Sequence, residues 1–254
     1  MFKSPGGIAF YIGTYPIHYY GFCIAFGMAF GLLCAYLICK NFYKDLNSDV
    51  VFDIAIPVIV GGVIGARLYY CLLSYPYYMH NPFEILQISK GGLSIHGGMI
   101  GGLIGGIWYA KSKNLPILKL CDIFTFALLI GQIIGRWGNF FNSEAFGTPC
   151  TNFFKLYIPI ENRPVEFIQY EYFHPTFLYE SLLNIVIFAV LFYMLKTKPK
   201  DGKIFFTYLI LYSIVRIFIE SIRTDSVLNL LNIPFATLIS IIIISISILC
   251  LRKI

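Results

Sequence analysis

Arginine, histidine and glutamate recur in this sequence beside long apolar runs, where an isolated charge is expensive. Arg216, Glu220 and Arg223 are spaced i, i+4, i+7, which puts them on one face of a helix. Arg136 stands among small and amide residues in Gly135-Arg136-Trp137-Gly138-Asn139, with Asn142 and Glu144 just beyond. His96 lies in the glycine-flanked run Gly91-Gly92-Leu93-Ser94-Ile95-His96-Gly97-Gly98. His174 heads His174-Pro175-Thr176-Phe177-Leu178-Tyr179-Glu180, Arg67 follows Gly65-Ala66, and Tyr20 precedes Gly21. Arginine matches phosphate through a rigid bidentate fork. A histidine takes up a proton near neutral pH. Together these types suit an anion site beside a proton acceptor. Structural roles compete with that reading. The arginines can pair internally with Glu144, Glu180 or Glu220, His96 can be a hydrogen-bonded core residue, and Pro175 suits a first helical turn.

The elements that must position these groups follow from composition. The chain has 254 residues, of which 58% are hydrophobic and only 13% charged. A soluble domain carries about 25% charged residues. Soluble, disordered and fibrous classes are excluded, and a multi-pass membrane protein remains. The net charge of +6 does not argue for a nucleic-acid partner, because basic residues in such a chain first report topology.

A bilayer core of about 30 Å needs about 20 mostly apolar residues per helix. Seven stretches qualify: 17–39, 50–73, 91–110, 116–137, 174–195, 203–223 and 231–251. The expected fold is therefore all-α, a single integral membrane domain over 1–254 with seven transmembrane helices. Residues 74–90 are expected to lie in the interface, and 138–173 to form a small extramembrane lobe. Residues 1–16 lack the charged and apolar regions of a cleavable signal peptide and read as an aromatic, interface-lying lead-in.

Lysine and arginine orient the chain. One set of loops holds Lys40, Lys44, Lys111, Lys113, Lys119, Lys196, Lys198, Lys200, Lys203, Arg252 and Lys253. The opposite loops hold Lys3, Lys90, Lys155 and Arg163, so the count is eleven against four. The expected topology puts the N-terminus outside, the C-terminus in the cytoplasm and the 138–173 lobe outside.

An arginine near the bilayer centre costs about 2.5–3.5 kcal/mol on insertion scales. In the oriented helices, Tyr20, Arg67, His96, Arg136, Asn139, His174, Glu180, Arg216, Glu220 and Arg223 all fall towards the outer leaflet. His96 is about 7–8 Å deep at 1.5 Å per residue. Asp53 and Asp122 lie towards the cytoplasmic ends and read as helix-terminal charges. The outer cluster predicts a site that opens to the outer leaflet, where lipid head groups supply phosphate.

Two glycine ridges mark the third span, Gly97-Gly101-Gly105 and Gly98-Gly102-Gly106. Spacing of four lets membrane helices approach closely. Gly61, Gly62 and Gly65 in the second span read the same way. The seven cysteines include no Cys-x-x-Cys pair and read as small buried hydrophobes, with no metal expected. A seven-span transporter or receptor with an anionic-ligand site in the outer leaflet is the alternative. A transporter favours polar groups at the midplane and paired repeats. An intramembrane serine protease needs a serine–histidine pair, and Ser94 and His96, two apart on one helix, diverge.

The run Gly135-Arg136-Trp137-Gly138-Asn139-Phe140-Phe141-Asn142-Ser143-Glu144, closing with Gly147, resembles the signature of bacterial prolipoprotein diacylglyceryl transferases. So do Tyr20-Gly21, Gly65-Ala66-Arg67, His96-Gly97-Gly98, the His174 to Glu180 run, and Arg216, Glu220 and Arg223, in order over most of the chain. The family often has tryptophan where this chain has Tyr19. The resemblance implies a multi-pass enzyme of the bacterial plasma membrane, the inner membrane where there are two. It would transfer the diacylglyceryl group of phosphatidylglycerol to the lipobox cysteine thiol of preprolipoprotein signal peptides. A thioether forms and glycerol phosphate leaves, with no cofactor, and the working state is a monomer. On that reading His96 is the base and Tyr20 its helper. Arg136 and Arg216 hold the phosphate, and Asn139 binds the head group or orients Arg136. Glu144 and Glu220 orient the arginines, while Arg223, Arg67 and His174 belong to the substrate-binding surroundings.

Overall fold

A computed structural model describes residues 1–88, 91–224, 229–230 and 233–254. Lys90 and the first two residues of the expected span 231–251 lie outside the described residues. Seven long helices dominate: α1 Tyr19–Phe42, α2 Val50–Leu73, α4 Ile95–Ser112, α5 Ile117–Asn142, α6 Thr176–Leu195, α7 Lys203–Glu220 and α8 Phe235–Lys253. A short helix α3, Tyr75–His80, follows α2. Among the described residues, α1, α2, α5, α6 and α8 are long and apolar enough to cross a membrane. In α4, six glycines and Lys111 dilute the apolar character. Lys203, Arg216 and Glu220 place three charges in α7.

The chain divides into two compact units, residues 1–35 with 121–254, and residues 36–120. In the second unit α2 and α4 pack through the predicted glycines. A Cβ on Gly65 would stand 2.8 Å from Gly101 Cα, and one on Gly61 would stand 2.5 Å from Gly101 O. Backbone therefore touches backbone, and any side chain would force the helices apart. The ridge Gly97-Gly101-Gly105 makes this contact. Its companion is looser, since a Cβ on Gly98 would stand 3.6 Å from Ala66 Cβ.

In the first unit, side chains tie α5 to its neighbours. Ser181 Oγ on α6 donates to Ile133 O at 3.1 Å, and Gln132 Nε2 donates to the Tyr208 hydroxyl on α7 at 2.8 Å. Gly31 of α1 lies so close to α5 that an added Cβ would be 2.8 Å from Ala127 O. The fully buried Asp122 accepts the backbone N–H of Gly202 and of Phe205, both at 2.7 Å. It satisfies the orphan donors at the start of α7 from a different helix.

Short strands accompany the helices, where an all-α chain was expected. β2 Ile8–Ile12 and β3 Tyr15–His18 form a hairpin in the expected lead-in, turning through Gly13 at φ +62°. Such two-residue turns need a left-handed residue. β1 Phe2–Lys3 pairs parallel with β4 Leu156–Tyr157, which pairs antiparallel with β5 Tyr172–Phe173. Under this sheet Phe146, Leu156, Ile158, Phe173 and Phe177 form a buried cluster, with Phe2 and Phe140 packed against it. The segment between α5 and α6 thus has its own apolar core, beside the end of α5 that carries Arg136.

Candidate active site

The ends of α5, α6 and α7 bring charged side chains together in the first unit. Glu180 lies one turn into α6, and its side chain is 2% exposed. Arg136, near the C-terminal end of α5, forms an ion pair with it through Nη2. Arg216 Nη1 on α7 stands 4.0 Å from Glu180 Oε1 and pairs Nη2 with Glu220 Oε2 at 2.7 Å. Arg223, just past the end of α7, reaches the same Glu180 oxygen at 3.9 Å. One buried carboxylate therefore gathers three guanidiniums from two helices and a loop. A buried charge is tolerable only with such partners.

The arginines remain partly open, with side-chain exposures of 18% for Arg136, 22% for Arg216 and 13% for Arg223. A guanidinium has five N–H donors. Among the described residues, Nη2 alone of Arg136 is engaged, and Nε of Arg216 has no protein acceptor. Both arginines are held in place by glutamate and keep donors for an anion.

The rest of the signature shapes the wall beside them. Tyr20, in the first turn of α1, lays its ring on Gly138, where a Cβ would be 2.6 Å from Cδ2. Asn139 Nδ2 donates to Glu144 Oε1 at 2.8 Å. Glu144 is flanked by Ser143 and Ala145, both at φ +53°. Left-handed backbone is costly for residues with a Cβ, and the flanking carbonyls are captured to hold it. Asn162 Nδ2 donates to the Asn142 and Ser143 carbonyls at 3.2 and 3.3 Å, and Thr176 Oγ1 donates to Ala145 O. Beyond the turn, the Gly147 N–H donates to His174 O at 3.0 Å and the Thr148 N–H to Ile222 O at 2.9 Å. Gly147 forms an isolated bridge with Arg223, and a Cβ there would be 2.8 Å from both His174 Cβ and Ile222 Cγ2. The loop is laced to the start of α6 and the segment after α7, so it fixes the backbone that carries Arg223.

His174 takes part in this lacing by its backbone, and its Nδ1 lies 3.1 Å from the Tyr179 hydroxyl. It also lines a cavity of about 300 Å³ with Pro149, Cys150 and Tyr170.

His96 and Arg67 belong to the second unit. His96 is exposed in the first turn of α4, its ring 6.4 Å from that of Tyr69. Arg67, on α2, is 5% exposed. Its guanidinium meets the carbonyls of Ile85, Gly91, Gly92, Glu84 and Gln87. The donors of Arg67, a residue expected in the substrate-binding surroundings, thus meet backbone carbonyls.

Sequence reasoning left Glu180 as one of several counter-ions, whereas it is the centre of the cluster. The signal was present: an acid one turn into an apolar helix needs cations, and the arginines supply them. Among the described residues no group of three or more histidine, cysteine, aspartate or glutamate side chains is placed to hold a metal ion.

The model of the prolipoprotein diacylglyceryl transferase family matches residues 7–252, a range that contains the whole Tyr20 to Arg223 set. The chain belongs to the prolipoprotein diacylglyceryl transferase family. A Staphylococcus aureus (strain MSSA476) protein named phosphatidylglycerol–prolipoprotein diacylglyceryl transferase is 43% identical over 261 residues, spanning 100% of this chain and 91% of its own. Proteins of the same name from Synechococcus elongatus and Nostoc sp. are 41% and 40% identical, spanning 98% and 90% of this chain and 87% and 82% of theirs. These relatives do not favour the transporter or receptor alternative.

Proposed function

We propose that this transferase moves the diacylglyceryl group of phosphatidylglycerol onto the lipobox cysteine thiol of preprolipoproteins, the first step of bacterial lipoprotein maturation. The observation that carries the residue assignment is the pair Arg136 and Arg216, anchored by Glu180 and Glu220 yet with donors to spare.

The thiol sulfur attacks the glyceryl carbon that bears the phosphate. A C–S bond forms as the C–O bond breaks, and the electron pair leaves on the oxygen of glycerol phosphate. Arg136 and Arg216 bind that phosphate and stabilise the charge that grows on it. Their fork geometry suits phosphate, and glutamate partners fix them before substrate arrives. A thiol with a pKa of about 8.5 must lose its proton to attack well. His96 takes that proton, helped by Tyr20. Asn139 and Glu144 orient the head group and the arginine wall, Glu220 holds Arg216, and Arg223 meets the head group at its edge. His174 positions the loop that follows α5.

The finer topology belongs to the same reading. α4 and α7 cross the membrane with the other five helices, giving seven spans in a single membrane domain. The N-terminus and the 138–173 lobe lie outside, the C-terminus is cytoplasmic, and the enzyme works as a monomer in the plasma membrane. The eleven-to-four split of basic residues supports that orientation.

The test uses purified protein in micelles with phosphatidylglycerol and a lipobox peptide. Mass spectrometry should find a diacylglyceryl adduct on the cysteine peptide, with glycerol phosphate released and no adduct on a Cys→Ser peptide. Folded, lipid-supplied protein that forms no adduct contradicts the function.

A further inference from the structure

Arg67 differs from Arg136, Arg216 and Arg223 in what surrounds it. Its Nε donates to Ile85 O at 2.9 Å, and Nη1 donates to Gly91 O at 2.7 Å and Gly92 O at 3.0 Å. Nη2 donates to Glu84 O and, at 3.4 Å, to Gln87 O. A guanidinium has five N–H donors, and here five backbone carbonyls face them. No donor remains for the two parallel bonds that arginine makes to phosphate. The residue is 5% exposed and borders a cavity of about 390 Å³ with Tyr70 and Tyr78, yet its donors are taken by these carbonyls.

The carbonyls come from the connection between α3 and α4. Gly91 and Gly92 hold φ of +83° and +75°, a region that favours glycine. A Cβ on Gly92 would stand 2.5 Å from Arg67 Nη1 and 2.7 Å from Tyr70 Cε1, so the loop can lie against the guanidinium only because that residue is glycine. A second tie follows directly: the Ser94 N–H donates to Ala66 O, the carbonyl just before Arg67, at 3.0 Å. His96 comes two residues later, in the first turn of α4. The start of α4 is thus pinned to α2 at two successive residues, Ala66 by its backbone and Arg67 by its side chain.

We propose that Arg67 is a positioning residue: it clasps the Gly91-Gly92 turn and so sets where His96 stands when the thiol arrives. This rests on the reading of His96 as the base. Arg67 does not contact the phospholipid head group. Lysine cannot replace it, because an ammonium is a compact point with three donors and no fork.

The experiment compares the full-length protein with Arg67→Lys, Gly92→Ala and His96→Gln in the same micelles. Amide hydrogen exchange by mass spectrometry reads the segment 82–96, and kinetics separate kcat from KM for phosphatidylglycerol. Arg67→Lys and Gly92→Ala should each raise exchange in 82–96 by about tenfold or more and leave other helices protected. Each should lower kcat by about 100-fold, as for a misplaced catalytic group, with KM changed less than about threefold. Should Arg67→Lys fail to fold, Gly92→Ala reads the same contact with Arg67 intact. A rise in KM with kcat and exchange unchanged makes Arg67 a head-group ligand and overturns the proposal. Raised exchange with unchanged kcat overturns it too, since the loop would then be anchored without consequence for the base. His96→Gln that keeps its kcat overturns the base reading, whereas unchanged exchange in the Arg67 and Gly92 variants overturns the clasp itself.

Discussion

Arg136 on α5 forms an ion pair with Glu180 on α6, and the carboxylate it meets is 2% exposed. Because Arg216 and Arg223 approach the same carboxylate, its charge organises the site as well as balancing it. Glu180→Gln keeps the shape and removes the charge. Breaking a buried pair from one side costs about 3–5 kcal/mol; the partly open guanidiniums put this site at the lower end. The transferase should lose most of its rate and unfold at lower temperature, as read by adduct formation and by thermal melting in micelles. Glu180→Gln with wild-type rate and melting temperature would show that the carboxylate has neither role.

Gly147 makes a prediction of a different kind. Its missing Cβ lets the loop after α5 pass His174 and Ile222 on the way to its bridge with Arg223. Gly147→Ala leaves every charged group in place and pushes that backbone by roughly 1 Å, a shift that can cost about 100-fold in rate. Activity should fall far more than stability. Equal, small losses in both would mean that the loop tolerates the methyl group.

Asp122 should matter for folding alone. It caps α7 at the opposite end of that helix from Arg216, through bonds to Gly202 and Phe205. Losing a capping side chain costs about 1–2 kcal/mol. Asp122→Ala should lower the melting temperature while the rate per folded molecule stays near wild type. A selective loss of rate would contradict a purely structural role.

The α2–α4 contact predicts sensitivity at Gly101, where an added Cβ would run into the Gly61 carbonyl. Overpacking of this sort costs about 1–3 kcal/mol. Gly101→Leu should destabilise the protein more than Gly101→Ala, and Gly106→Ala, with its nearest neighbour the Val58 Cγ2 methyl at 3.1 Å, should be milder than either. The order of melting temperatures checks it.

Much of this was legible in the sequence, for identifiable reasons. Long apolar runs give helices in a bilayer whatever their partners, so α1, α2, α5, α6 and α8 follow from hydropathy alone. The glycine ridge of α4 was readable because a spacing of four puts small residues on one helix face, where another backbone can approach closely. The hairpin at Ile8–His18 and the small sheet joining Phe2 to Leu156 were not, because pairings of two to five residues leave little pattern and depend on distant partners. The roles of the arginines needed the structure most. In sequence, Arg67 and Arg136 look alike, each a cation within two residues of a glycine in an apolar stretch. They separate only when acceptors are counted: five carbonyls for one, a single carboxylate for the other.

The role of the Glu180-anchored arginines is tested most directly by the rate of adduct formation by Arg136→Ala, measured on protein shown by melting to be folded. Electrostatic stabilisation of a leaving phosphate is worth about 100-fold or more in rate, so the variant should lose at least that much, with glycerol phosphate release falling in parallel. A folded Arg136→Ala protein that forms adduct within about threefold of the wild-type rate, far inside the range such interactions supply, would contradict the claim that the Glu180-anchored arginines carry the chemistry.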